Sequence, residues 1–231
     1  MKKATNILKA KSLTDKWAGI LLLAVTLCGC DTHRDFPDTG LKVGHILCTD
    51  GETHSFEMYR TSGKEAIAVV FYLNSDPETA GNGYAVYLHD LPAEAFADSI
   101  GVSQGTSADL TAYDGNENTF ALFDTEDVGS PMAMQVFDLW RYGQSAYVPS
   151  VAQMRLLYAA KDIINPYIEA CGGDPLPDAA DDCWYWTSTE VEGQETAKAW
   201  LYSTGSGSMQ ETPKTQAHKV RPIVTVYHTD D

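Results

Sequence analysis

Apolar and polar positions change over in short blocks between residues 43 and 123, a pattern that predicts strands more than helices there. The blocks are Val43 to Leu47, the continuous apolar run Ala66 to Leu73 (AIAVVFYL), Gly83 to Leu88 with Tyr and Val in alternation, and Thr119 to Phe123. Asp50-Gly51, Ser62-Gly63, Asn82-Gly83 and Asp114-Gly115 separate them. Such pairs favour turns because Gly adopts positive φ and Asn or Asp side chains bond the nearby backbone, and the first pair predicts a hairpin. The period then lengthens. Pro131, at a first-turn position, opens a helix over Met132 to Trp140 with apolar Met132, Val136, Leu139 and Trp140. A second helix starts at Ser150, which forms with Gln153 the capping-box pattern S-x-x-Q ahead of Met154, Leu156, Leu157 and Tyr158. Ile163 to Ala170 continues it or starts another, with Pro166 forcing a break or taking a first-turn place and Gly172 closing the end. Strands return at Cys183 to Thr189, Ala197 to Ser203 and Lys219 to Tyr227, and GSGSMQETPKTQ at 205–216 reads as a loop. Strands, then helices, then strands without an internal repeat predict a single α+β domain over residues 42–231.

The first 41 residues do not join this pattern. Lys2, Lys3, Lys9, Lys11 and Lys16 precede an apolar run from Trp17 to Cys28, followed by Leu27-Cys28-Gly29-Cys30, a lipobox-like cleavage site. The apolar run has 12 residues, too few for the ~20 a bilayer-spanning helix requires. Residues 1–29 therefore read as a lipoprotein signal peptide, with Cys30 as the lipidated first residue of the mature protein. More than one acyl chain on that cysteine would anchor the body stably to a membrane. Residues 30–41 (CDTHRDFPDTGL) read as a flexible tether. The expected location is the cell envelope, at the outer membrane or cell surface of a Gram-negative bacterium.

Charge and cysteines narrow the function further. Without residues 1–29 the chain has 11 Lys and Arg against 31 Asp and Glu, a formal charge of −20. That surface repels nucleic acid and anionic lipid, and it suits solubility, a cationic partner or a bound cation. About 190 residues bury roughly 70% of their unfolded surface, so the domain needs no disulfide framework. An exported compartment nevertheless permits disulfides. Cys171 and Cys183 flank a Gly- and Pro-rich loop and are the expected pair, with Cys48 left as a buried small hydrophobe.

Catalytic signatures are absent: the chain has no G-x-S-x-G, H-E-x-x-H, P-loop or dinucleotide fingerprint. In the mature body only His89 of the six His stands beside a carboxylate, Asp90. Neighbours on a strand face opposite ways, so that pair predicts no acid–base site. The expectation is a protein that is not an enzyme.

Four ordered blocks resemble the DUF1566 family, also known as the Lcl C-terminal domain. They are Asp114-Gly115 with Asn118-Thr119, then Val148-Pro149-Ser150 with Gln153-Met154 and Leu156-Leu157-Tyr158, then Trp184-Tyr185-Trp186-Thr187-Ser188-Thr189-Glu190, and Val220-Arg221-Pro222. The resemblance covers about residues 45–227, with Gln153 where the family usually has Glu. It implies a C-type lectin-like fold, related in architecture to formylglycine-generating enzymes, and a role on bacterial surfaces as an adhesin or lipoprotein. Those enzymes oxidise with copper through paired cysteines, and Cys171 and Cys183 stand outside that motif context.

Read physically, the blocks are scaffold. Trp184 and Trp186 share a strand face suited to core packing, and Arg221 between Val220 and Pro222 suits a structural ion pair. Because C-type lectin-like domains often hold calcium in their long loops, Asp174, Asp178, Asp181 and Asp182 are candidate metal ligands, against the plainer reading of a solvated acidic loop. The sugar-specifying Glu-Pro-Asn or Gln-Pro-Asp tripeptide and the Trp-Asn-Asp block of calcium lectins are missing. Candidate ligand-binding residues are Asp178, Asp181, Asp182, Tyr202 and Gln210, in the loops at 171–182 and 204–217 and beside them. The leading expectation is a non-catalytic domain that binds a glycan or a surface protein. The alternative is a structural or tip subunit of a pilus-like assembly.

Overall fold

The computed structural model describes residues 40–76, 80–139, 146–180 and 182–227. The signal peptide, Cys30 and nearly all of the tether lie outside them, as do Trp140 and Asp181. Leu41, assigned to the tether from sequence, packs against a buried face of the domain.

The described residues form a mixed α+β domain with two five-stranded sheets. Sheet one contains β1 (Ile46–Cys48), β2 (Thr53–His54), β3 (Ala66–Leu73), β4 (Gly83–Tyr87) and β10 (Ile223–Val226), in the order β10-β4-β3-β1-β2 with every pairing antiparallel. Sheet two contains β5 (Leu91–Ala95), β6 (Trp184–Glu190), β7 (Lys198–Ser203), β8 (Met209–Pro213) and β9 (Ala217–Val220). Its order is β5-β9-β6-β7-β8, antiparallel except between β6 and β9. Four helices are described: α1 (Phe56–Ser62), α2 (Gly115–Asp124), α3 (Pro131–Phe137) and α4 (Val151–Ala170).

The Asp50-Gly51 hairpin joins β1 to β2, with Gly51 at φ 86°. The unbroken apolar run of β3 has a cause in the layers. Val69 and Phe71 join Ile46, Val86 and Ile223 in one cluster, while Ala68 and Val70 join Leu47, Ala85, Val224 and Val226 on the opposite face. A strand buried on both faces loses the alternation of a half-exposed one. Gly83 is needed opposite the irregular pairing of Tyr72, because a Cβ there would stand 2.1 Å from the Tyr72 carbonyl oxygen.

Helix α4 covers the first face of β3 with Val151, Met154, Leu157, Ile164 and Ile168. Its capping box is complete: the Ser150 hydroxyl accepts from the Gln153 N–H, and the Gln153 carboxamide oxygen accepts from the Ser150 N–H. Of the alternatives the sequence leaves open for Ile163 to Ala170, the continuous helix is the one formed, and Pro166 neither breaks it nor opens a second helix. Pro166 and Asp162, whose carbonyl loses its helical partner to the proline, are both exposed, so water can bond that carbonyl.

Three other expectations change. Thr119 to Phe123 is the second half of α2, whose buried Gly115, Asn118, Thr119 and Leu122 follow helical spacing. The predicted loop at 205–216 contains β8, an edge strand paired along β7. The single strand predicted from Lys219 to Tyr227 is two strands, because the chain leaves sheet two at Arg221-Pro222 and enters sheet one as β10.

His218 on β9 sits edge-on to the Trp186 ring with centroids 5.3 Å apart, and burial holds its pKa below the usual imidazole value. The unfolded chain therefore takes up this proton before the folded one. The group's contribution to stability is complete above the ordinary value near 6.5 and is lost as pH falls through the folded value. Thermal midpoints measured at pH 7 and pH 5 should fall less for His218→Phe than for the wild type. An equal fall would show that other groups carry the acid sensitivity.

Candidate functional site

The three upstream blocks of the sequence resemblance meet at one node. Gly115 opens α2 so close to α4 that a Cβ would stand 2.3 Å from the Gln153 side-chain oxygen and 2.7 Å from the Val148 carbonyl. The Thr119 hydroxyl accepts from the Val148 N–H at 2.9 Å, and the Thr189 hydroxyl accepts from the Val151 N–H at 3.1 Å. The Ser188 N–H donates to the Pro149 carbonyl at 2.9 Å, and the Asn118 carboxamide donates to the Ser188 hydroxyl. Buried polar groups are tolerated when they are mutually satisfied, so the blocks act as a fastening between α2, the start of α4 and β6. Trp186 is fully buried edge-on to Phe96, and its indole N–H donates to the Glu94 carbonyl. Trp184 packs against the same cluster.

The fourth block builds a buried polar cluster. Arg221, fully buried at the crossing from β9 to β10, faces the opposite crossing from β4 to β5 through residues 88–90. Its Nε donates to Asp90 Oδ1 at 2.5 Å, one terminal nitrogen donates to the Tyr87 and Leu88 carbonyls, and the other donates to the Asp174 carbonyl at 2.8 Å. Asp90 Oδ2 takes Lys219 at 3.0 Å and the Tyr185 hydroxyl at 3.1 Å. Lys219 also reaches Asp182 at 2.7 Å. Burial opposes the charge on Lys219, but the bonds to Asp182 and Asp90 outweigh it and raise its pKa. Burial raises the Tyr185 pKa, with the Asp90 charge adding to it. Sequence reasoning finds Arg221 but passes over Asp90, Lys219 and Tyr185, whose roles depend on strands distant in the chain.

The predicted loop residues are distributed among separate partners. Asp174 pairs with His89 Nδ1 at 2.9 Å, a bond that lowers the Asp174 pKa. Asp178 pairs with Lys161, whose ammonium also donates to the Thr204 carbonyl at 2.8 Å. Asp182 pairs with Lys219, and Asp181 lies outside the described residues. No group of three His, Cys, Asp or Glu among the described residues is placed to hold a metal ion. Tyr202 is 3% exposed and meets Tyr158 edge-on within the core, so the structure withdraws it from the candidate ligand surface. Gln210 is exposed on β8.

The expected Cys171–Cys183 bridge is not formed. Cys48, Cys171 and Cys183 are free thiols, and Cys183 Sγ lies 3.1 Å from the Ser203 hydroxyl while Cys171 closes α4 in another cluster. A cleft of about 480 Å³ between α2 and α3 is lined by Asn116, Glu117, Phe120, Val136 and Phe137, with no predicted ligand residue among its described lining.

No protein-family profile matches the sequence, and no curated protein is significantly similar to it. One solved structure resembling the chain is a fimbrial protein from Bacteroides ovatus, with a TM-score of 0.61 at 17% identity. The likeness covers 80% of this chain and 49% of the fimbrial protein, so the chain spans about half the length of that relative and shares its fold over that part.

Proposed function

We propose that this chain is a non-catalytic subunit of a fimbria-like surface assembly, held to the outer membrane of a Gram-negative cell by lipid on Cys30. The fold it shares with a fimbrial protein over 80% of its length carries this reading. Pairing of Asp174, Asp178 and Asp182 with His89, Lys161 and Lys219 supports it, since those loops then serve the scaffold. The function requires no cofactor and no chemical step. Two sheets flanked by helices, with the resembling blocks fastened at one node, also suit a C-type lectin-like domain of the DUF1566 type, and adhesion to a glycan or surface protein is the activity such a subunit would contribute.

An epitope inserted at the exposed turn by Gly193 tests this in the cell of origin. The protein should appear with sheared surface filaments by immunogold microscopy, and incorporate labelled fatty acid in a manner abolished by Cys30→Ser. Filament-free label confined to the cell body would overturn the assembly reading, and lipid labelling independent of Cys30 would overturn the anchor.

A further inference from the structure

Helix α2 turns its largest side chains outward. It buries Gly115, Asn118, Thr119 and Leu122, while Phe120 and Phe123 are 60% and 49% exposed. Opposite them α3 exposes Met134 to 60% three residues before Phe137, and Phe123 stacks on Phe137 with ring centres 3.9 Å apart. Residues three apart on a helix are neighbours, so Phe120, Phe123, Phe137 and Met134 make one apolar surface across both helices. The cleft of about 480 Å³ opens within it, with Phe120, Phe137 and Val136 in its wall and exposed Glu117 beside them.

The charge around this surface has one sign. Glu117, Asp124, Glu126, Asp127 and Asp138 are all exposed, and none is ion-paired among the described residues. The chain has no Lys or Arg between Lys64 and Arg141. A second copy of so acidic a chain, or an anionic membrane, would bring like charge to this face. A small ligand filling the cleft would leave Phe123 and Met134 bare, since both lie outside its lining.

We propose that α2 and α3 dock an amphipathic helix of a partner protein, apolar on the side that enters the cleft and flanked by Lys or Arg. Apolar anchors at i, i+3, i+4 and i+7 match the ~15 Å length of α2, and the flanking cations meet the carboxylates and the exposed ring faces.

The probe is a fluorescein-labelled synthetic helix of about 14 residues, leucine at those anchor positions and lysine beside them, titrated with the full-length protein and read by anisotropy. It should bind, and the same peptide with glutamate for lysine should bind about tenfold more weakly or worse. Phe120→Asp and Met134→Asp alter exposed side chains that folding does not need, and each should raise the dissociation constant for the lysine peptide about tenfold. Met58→Asp, on exposed α1, should leave it unchanged. Absence of binding, equal affinity for the two peptides, or full binding by Phe120→Asp would overturn the proposal. Dimerisation lost in Phe120→Asp without peptide binding would overturn it in favour of a second copy.

Discussion

Replacing Arg221 with methionine is expected to lower the stability of the domain by about 3–5 kcal/mol, because it removes one partner of a buried ion pair together with its backbone bonds. The aliphatic stem is retained, so the loss falls on the guanidinium. Asp90 keeps Lys219 and Tyr185 but loses its shortest bond, and the carbonyls of Leu88 and Asp174 lose donors in a place water reaches poorly. Domains of this kind are stable by only about 5–15 kcal/mol, so the variant would lie near the edge of folding at 37 °C. Urea titration followed by tryptophan fluorescence measures the loss. Arg221→Lys should recover only part of it, since one ammonium cannot bond in the three directions the planar fork covers. A loss below about 1 kcal/mol for Arg221→Met would mean that the crossing holds without the pin.

The second large effect concerns Lys214, just past the end of β8, and Glu190, the last residue of β6, an ion pair whose side chains are both fully buried. Glu190 also accepts from the Gln104 N–H at 2.9 Å and the Ser103 hydroxyl at 3.0 Å, while the Lys214 ammonium lies 5.1 Å from the Phe96 ring centre. Glu190→Gln leaves a buried ammonium without its counter-charge and is expected to cost about 3–5 kcal/mol. The double variant Lys214→Met with Glu190→Leu should recover most of that, because two apolar side chains avoid the desolvation of both ions. Burial already holds the Lys214 pKa below its ordinary value, and the bond to Glu190 works against that shift. Without Glu190 the pKa falls further. The unfolded chain then binds a proton that the folded chain gives up, so the stability of Glu190→Gln should rise between pH 7 and pH 10 more steeply than that of the wild type. Equal slopes would mean that Lys214 keeps its charge by other contacts.

Local patterns in the sequence were legible where the physics is local. The run Ala66 to Leu73 is β3 with its predicted bounds, and Ser150 with Gln153 forms the predicted box. Short apolar stretches were harder to read. Thr119 to Phe123 fits a strand or a turn and a half of helix equally well, and the packing of Gly115 against Gln153 and Val148 decides for the helix. The candidate site depends on pairings no window spans: Arg221 meets Asp90 across 131 residues, and Lys161 meets Asp178 from the far side of a loop. The acidic residues at 174–182 look like a cluster when written in a line, whereas folding assigns Asp174, Asp178 and Asp182 to three separate partners.

The segment 217–226 supplies β9 to the interior of one sheet and β10 to the edge of the other, pairing with strands formed well over a hundred residues earlier. Sheet two cannot join β5 to β6, and sheet one cannot cover the outer edge of β4, until that segment has been synthesised, and pairing over such distances is slow. Before then β4 and β5 carry open edges, so the domain stays incomplete until its last strands have been made. A chain in that condition is easily threaded through a narrow pore, and a chaperone would find its binding surface along the unpaired edges of β4 and β5.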